Sequence, residues 1–146
     1  MKLKILVGSI AIILASSSCK KEDVKQKENI ETEITSGTWR ISYFNDSGIN
    51  ETENFNSYNF TFNGNGTLTA ANGSNTYSGT WTITDSNSND DSSEDLDFNI
   101  YFNQTNNFEN LNDDWDIISH SPSELKLKDV SGGNNGGTDE LTFVKN

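Results

Sequence analysis

The sequence predicts an all-β domain folded as an eight-stranded antiparallel up-and-down barrel, and three observations predict it. Between residues 58 and 83 apolar and polar positions alternate. Tyr58, Phe60 and Phe62 are spaced by Asn59 and Thr61, Leu68 lies between Thr67 and Thr69, and Gly79, Trp81 and Ile83 alternate with Ser78, Thr80 and Thr82. Such period-two patterning, rich in threonine and aromatics, marks strands with one buried and one wet face. Asn-Gly steps within 63–66 and at 72–73 cut these runs into hairpins, because Asn and Gly readily take the positive-φ conformation a tight turn needs. The same pattern recurs over short runs to the C-terminus, reaching eight strands, the count at which an antiparallel sheet can close on itself and lose its edges.

In chain order, Trp39, Ile41 and Tyr43 alternate with Thr38, Arg40 and Ser42 in a first strand. Residues 45–54 form a polar connection. Strands follow at 55–62, 67–71 and 76–84, and the polar run 85–95 is a long wet loop. Leu96, Phe98 and Ile100 define a fifth strand, and Phe108 is a plug within the polar interval 102–110. Trp115 opens a sixth strand at 115–119, Pro122 sits in a turn, and Leu125 and Leu127 face inward from a seventh at 124–128. Residues 132–137 are a loop, and Leu141 and Phe143 close the pattern.

Composition bounds the function. A chain of 146 residues that is 32% hydrophobic has room for one domain and one core. Its net charge of −12 would repel nucleic acid. The charge favours solubility but names no ligand.

The N-terminus reads as an export signal, with Lys2 and Lys4, an apolar run over 3–14, and small residues over 15–18 ending at Cys19. The run is too short for a membrane span. Here the chain resembles bacterial lipoprotein precursors, since Ser17, Ser18 and Cys19 fit the last part of the lipobox. Ser16 stands where Leu is usual and Leu14 lies two positions early, a loosened form that resembles lipoproteins of the Bacteroidota. The resemblance implies cleavage before Cys19 and acylation of its thiol, with membrane lipid as the partner and residues 1–18 as signal peptide. Lys21, Glu22 and Asp23 resemble the Lys-acid-acid signal that sends such lipoproteins to the outer face of the outer membrane. Residues 19–36 then read as a flexible polar tether, in which Val24, Ile30 and Ile34 are too sparse to dock a helix firmly.

Over residues 36–146 the Trp39-Arg40-Ile41 opening, the Phe60-Thr61-Phe62 run leading to Gly66, Gly79 with Trp81, Leu111 with Trp115, Leu125 with Leu127, and the terminal Leu141-Thr142-Phe143 with Lys145 resemble lipocalin-like domain lipoproteins of the Flavobacteriia and their relatives. That resemblance implies a calycin-like barrel at 37–146 on an acylated tether. It implies binding of a small hydrophobic ligand only through the barrel, and it carries over no catalytic residue.

The residue inventory is that of a monomeric binding or structural module, not an enzyme. His120 is the only histidine, and although Ser119, Ser121 and Asp116 lie near it in sequence, a nucleophile needs an oriented base and a third group on a rigid support. Cys19 is the only cysteine, which removes any disulfide or CxxC metal site. Trp39, Tyr43, Phe60, Trp81, Phe98, Trp115 and Phe143 share the inward phase of their strands, either as the wall of a ligand pocket or as a core plug. Asp85, Asn87, Asn89 and Asp91 have the alternate spacing of a calcium loop. Asp90 and Leu96 stand where such a loop needs Gly and Glu, so no metal and no cofactor is expected.

Overall fold

A computed structural model describes residues 19–85, 96–130 and 137–146, with the side chains of 19–23 excepted. The alternating runs form antiparallel strands β1 (Trp39–Asp46), β2 (Ile49–Asn50), β3 (Asn59–Phe62), β4 (Thr67–Ala71), β5 (Thr76–Asp85), β6 (Leu96–Phe102), β7 (Asp113–Ser121), β8 (Glu124–Val130) and β9 (Thr138–Lys145). Each strand from β3 to β9 pairs with the next, and β1 pairs with β9, so eight strands close a barrel in simple up-and-down order. The two-residue β2 is an addition that, among the described residues, pairs with the end of β1 alone. The outward face carries Thr80, Thr82, Asp114, Asp116 and Lys126, the reverse of a barrel whose outside meets lipid. Among the described residues no helix is long and apolar enough to cross a membrane.

Three details depart from the sequence expectations. The segment expected as a tether forms helix α1 (Cys19–Ile34). Ile30 and Ile34, four apart on one face, are buried, and Gly37 at φ +81° turns the chain out of the helix. Two apolar residues suffice because they sit over the barrel mouth, where the helix shares the barrel's own core.

In β1 the register with β9 slips between Ile41 and Tyr43, a bulge that makes Ser42 the extra residue. Tyr43 therefore faces solvent at 38% exposure and Phe44 takes the inward position, so Tyr43 belongs to neither pocket nor core. The expected strand at 55–62 begins only at Asn59, because a 3-10 turn (Thr52–Phe55) precedes it and inserts Phe55 into the core. This turn fills a seam, since β1 meets β3 through the single pair Trp39 and Phe60. There the Phe44 amide donates to Thr52 Oγ1 (2.8 Å) and the Glu51 amide to the Phe44 carbonyl (2.9 Å).

Two glycines are required by geometry. Gly66, at φ +84°, completes the β3–β4 turn and accepts the Trp81 amide at 2.9 Å. Gly79 lies so close to β6 that a Cβ there would sit 2.5 Å from the Tyr101 carbonyl oxygen and 2.8 Å from the Phe102 ring.

Phe108, expected as a plug, is one. It lies in a second 3-10 turn (Asn107–Leu111), started by the Asn106 side chain accepting the Phe108 amide at 3.1 Å. Its ring meets Phe55, Tyr58, Phe60, Tyr77 and Phe102 at centroid distances of 4.7–6.2 Å. Truncation of such a ring leaves a cavity at the barrel end away from α1. Phe108→Ala is expected to cost about 3–5 kcal/mol in urea unfolding, whereas the exposed Tyr101→Ser should cost under about 1 kcal/mol.

Candidate functional site

The barrel bore, where a ligand pocket would lie, is occupied by side chains. Trp39, Phe60, Phe98, Trp115 and Phe143 are at most 1% exposed and Trp81 is 5% exposed. Ring contacts run without a break from the α1 end to the other. Trp81 stacks on Phe98 at 5.6 Å and meets Phe62 edge-on at 5.7 Å, Phe62 meets Phe143, Phe143 meets Phe60, and Phe60 meets Phe108. From Phe108 the series continues through Phe55 and Phe44 to Trp115. Eight strands enclose a bore only just wide enough for their own side chains, and edge-to-face rings fill it efficiently. Of the seven aromatic positions singled out in the sequence, six meet in this core and Tyr43 does not.

The indole N–H groups show how the ends are closed. Trp39 Nε1 donates to the Ile34 carbonyl of α1 (2.8 Å), Trp81 Nε1 to the Asn63 carbonyl of the β3–β4 turn (3.0 Å), and Trp115 Nε1 to the Leu111 carbonyl of the second 3-10 turn (3.0 Å). Lys145 Nζ lies 5.0 Å from the Trp39 ring centre, on the same end.

His120 is half-buried at the α1 end, and its Nδ1 lies 2.8 Å from Glu33 Oε2. The ring thus holds the helix to β7. Ser121 Oγ is engaged in the β7–β8 turn, donating to the Glu124 carbonyl (3.3 Å) and accepting the amides of Ser123 and Glu124. Of the Ser/His/Asp combination drawn from sequence, His120 thus serves a helix clamp and Ser121 a turn, while Asp116 is exposed on β7.

At the opposite end three strand termini bring Asp113, Asp129 and Asp139 together, with one carboxylate oxygen of each within 4.8 Å of the others. Asp139 Oδ1 also accepts the Ser47 amide (2.6 Å) and hydroxyl (3.2 Å). Partial burial pushes the Asp113 carboxyl up to about 6, reinforced by the charges of Asp129 and Asp114, while a hydrogen bond from the Asp114 amide works the other way. Carboxylate oxygens in this arrangement can hold a proton and are the ligand type that hard cations take. Sequence reading missed the trio because its members lie on three strands and no local motif joins them. Of the expected calcium-loop residues, Asp85 is exposed at the end of β5, and Asn87, Asn89 and Asp91 lie outside the described residues. The side chains of Cys19, Lys21, Glu22 and Asp23 lie outside them too.

The raised Asp113 value sets the sign of a pH effect. Between about pH 4 and 6 the folded chain keeps a proton that the unfolded chain has lost, so Asp113 lowers stability as pH rises through that window, and the loss is complete above it. Asp113→Asn should raise stability by on the order of 1 kcal/mol at pH 7–8, after allowance for solvent screening. The gain should vanish below about pH 4, as read by urea unfolding across the range.

No family model, curated protein or solved structure matches this chain, so its reading rests on its own residues and geometry.

Proposed function

We propose that this chain is a lipid-anchored, non-catalytic module of the bacterial cell envelope, attached to the outer membrane through acylated Cys19 and working through its outer surface, as a structural or interaction domain. The observation that carries the surface-acting part is the unbroken set of rings through the barrel, which occupies the space a small hydrophobic ligand would take. The anchor rests on the lipobox-like Ser17-Ser18-Cys19 after an apolar run, and surface display on Lys21, Glu22 and Asp23.

Helix α1 gives that anchor a geometry. Sixteen helical residues span roughly 24 Å, and the last turns are fixed to the barrel by Ile30, Ile34, the Trp39 hydrogen bond and the Glu33–His120 pair. An acyl chain at Cys19 would then hold the α1 end of the barrel toward the bilayer. The end bearing Asp113, Asp129 and Asp139 would be presented away from it.

Cys19→Ala should release the protein from membranes or leave unprocessed precursor, and normal maturation with wild-type membrane retention would refute the anchor. Titration with apolar dyes and fatty acids, followed by tryptophan fluorescence, should show no saturable binding. A saturable spectral shift would restore the hydrophobic-ligand reading.

A further inference from the structure

Outside the barrel, helix α1 stands off from the β3–β4 turn and the end of β5, leaving an open cleft of about 570 Å³. That volume is within the range that takes small molecules, roughly 300–1,000 Å³. We propose that this cleft binds a small organic cation, a primary ammonium on a short aliphatic body.

Three features of the lining specify that chemistry. First, one wall presents almost only acceptors. Glu28 and Glu31 bring carboxylates, while Thr32 Oγ1 and Thr35 Oγ1 spend their protons on the helix carbonyls of Glu28 and Glu31 (2.7 Å each) and so offer lone pairs. A complementary ligand supplies donors, and an ammonium has three donors and no acceptor.

Second, the charge is unbalanced. Among the described lining residues Lys27 is the one cation against those two carboxylates, and it reaches Glu31 only at 3.9 Å with both side chains 42% exposed. Such a pair is weak, so an incoming ammonium competes with Lys27 for Glu31. The net charge of −12 draws cations toward the chain and turns anions away.

Third, apart from the outward Thr82, the described residues of the other side are bare or apolar. Gly64 and Gly66 put no side chain into the cleft, and open space surrounds the Cβ position of Gly64. Trp81 and Ile83 form the floor, and the Trp81 N–H is already bonded to the Asn63 carbonyl. An aliphatic stem can lie along these groups without leaving a donor or acceptor unpaired. The cleft is outside the barrel, so this inference and the filled-barrel reading stand or fall separately.

The test is a titration of the folded chain with n-butylammonium at fixed ionic strength, followed by amide and indole N–H NMR shifts, with butyrate and butanol as controls. Saturable shifts confined to Gly64, Gly66, the Trp81 indole and the facing turns of α1 are expected, with neither control binding. Glu31→Gln and Glu28→Gln should each weaken binding by roughly two- to fivefold, the worth of one exposed charge pair. Lys27→Gln removes the competing cation and should tighten it by a similar factor. Equal binding of butanol or butyrate overturns the proposal. So do shifts spread without saturation over the acidic surface, weakening by Lys27→Gln, or no change on losing either glutamate.

Discussion

Each of the three indole N–H groups ends on a main-chain carbonyl of a segment that closes the barrel, and the rest of the structure depends on that arrangement. A donor inside an apolar bore costs free energy unless it finds an acceptor, and barrel strands spend their own carbonyls on one another. The acceptors come from Ile34 in α1, Asn63 in the β3–β4 turn and Leu111 in the second 3-10 turn. Burying each tryptophan and fixing each closure are thus one event. The described residues contain no buried polar side-chain atom without a partner.

This coupling makes helix α1 part of the domain and not a leash to it. Its two buried isoleucines cover the mouth that Trp39 would otherwise open, and the Glu33–His120 pair sets the helix across the barrel end. At the other end Phe108 and Leu111 do the same service. The strands between the closures are left free on their outer face, where threonines and acids meet water. A domain built this way displays two chemically different ends, one carrying α1 and its cleft and one gathering the carboxylates of Asp113, Asp129 and Asp139.

Most of this barrel was legible in the sequence because a half-buried strand writes its orientation in alternate residues. Phe60 and Phe62, Trp81 and Ile83, Phe98 and Ile100, and Leu125 and Leu127 all point where alternation puts them. Alternation fails where the chain adds a residue or leaves the sheet. Ser42 is extra, so Tyr43 and Phe44 exchange faces, and no local signal in an aromatic pair says which will turn in. Phe55 reaches the core from a 3-10 turn, whose period is not two. Helix α1 was obscured for a different reason: Ile30 and Ile34 are too few to mark a helix in their own segment, and their burial appears only when the mouth they cover exists. The carboxylate trio has the same origin, since residues 113, 129 and 139 meet only through the register of β7, β8 and β9.

The central claim is that the chain fills its own barrel. Xenon enters apolar cavities that are otherwise dry, so a crystal of the protein pressurised with xenon measures the claim directly. The account predicts no xenon among Phe60, Phe62, Phe98, Trp115 and Phe143. An ordered xenon atom among those rings would contradict it.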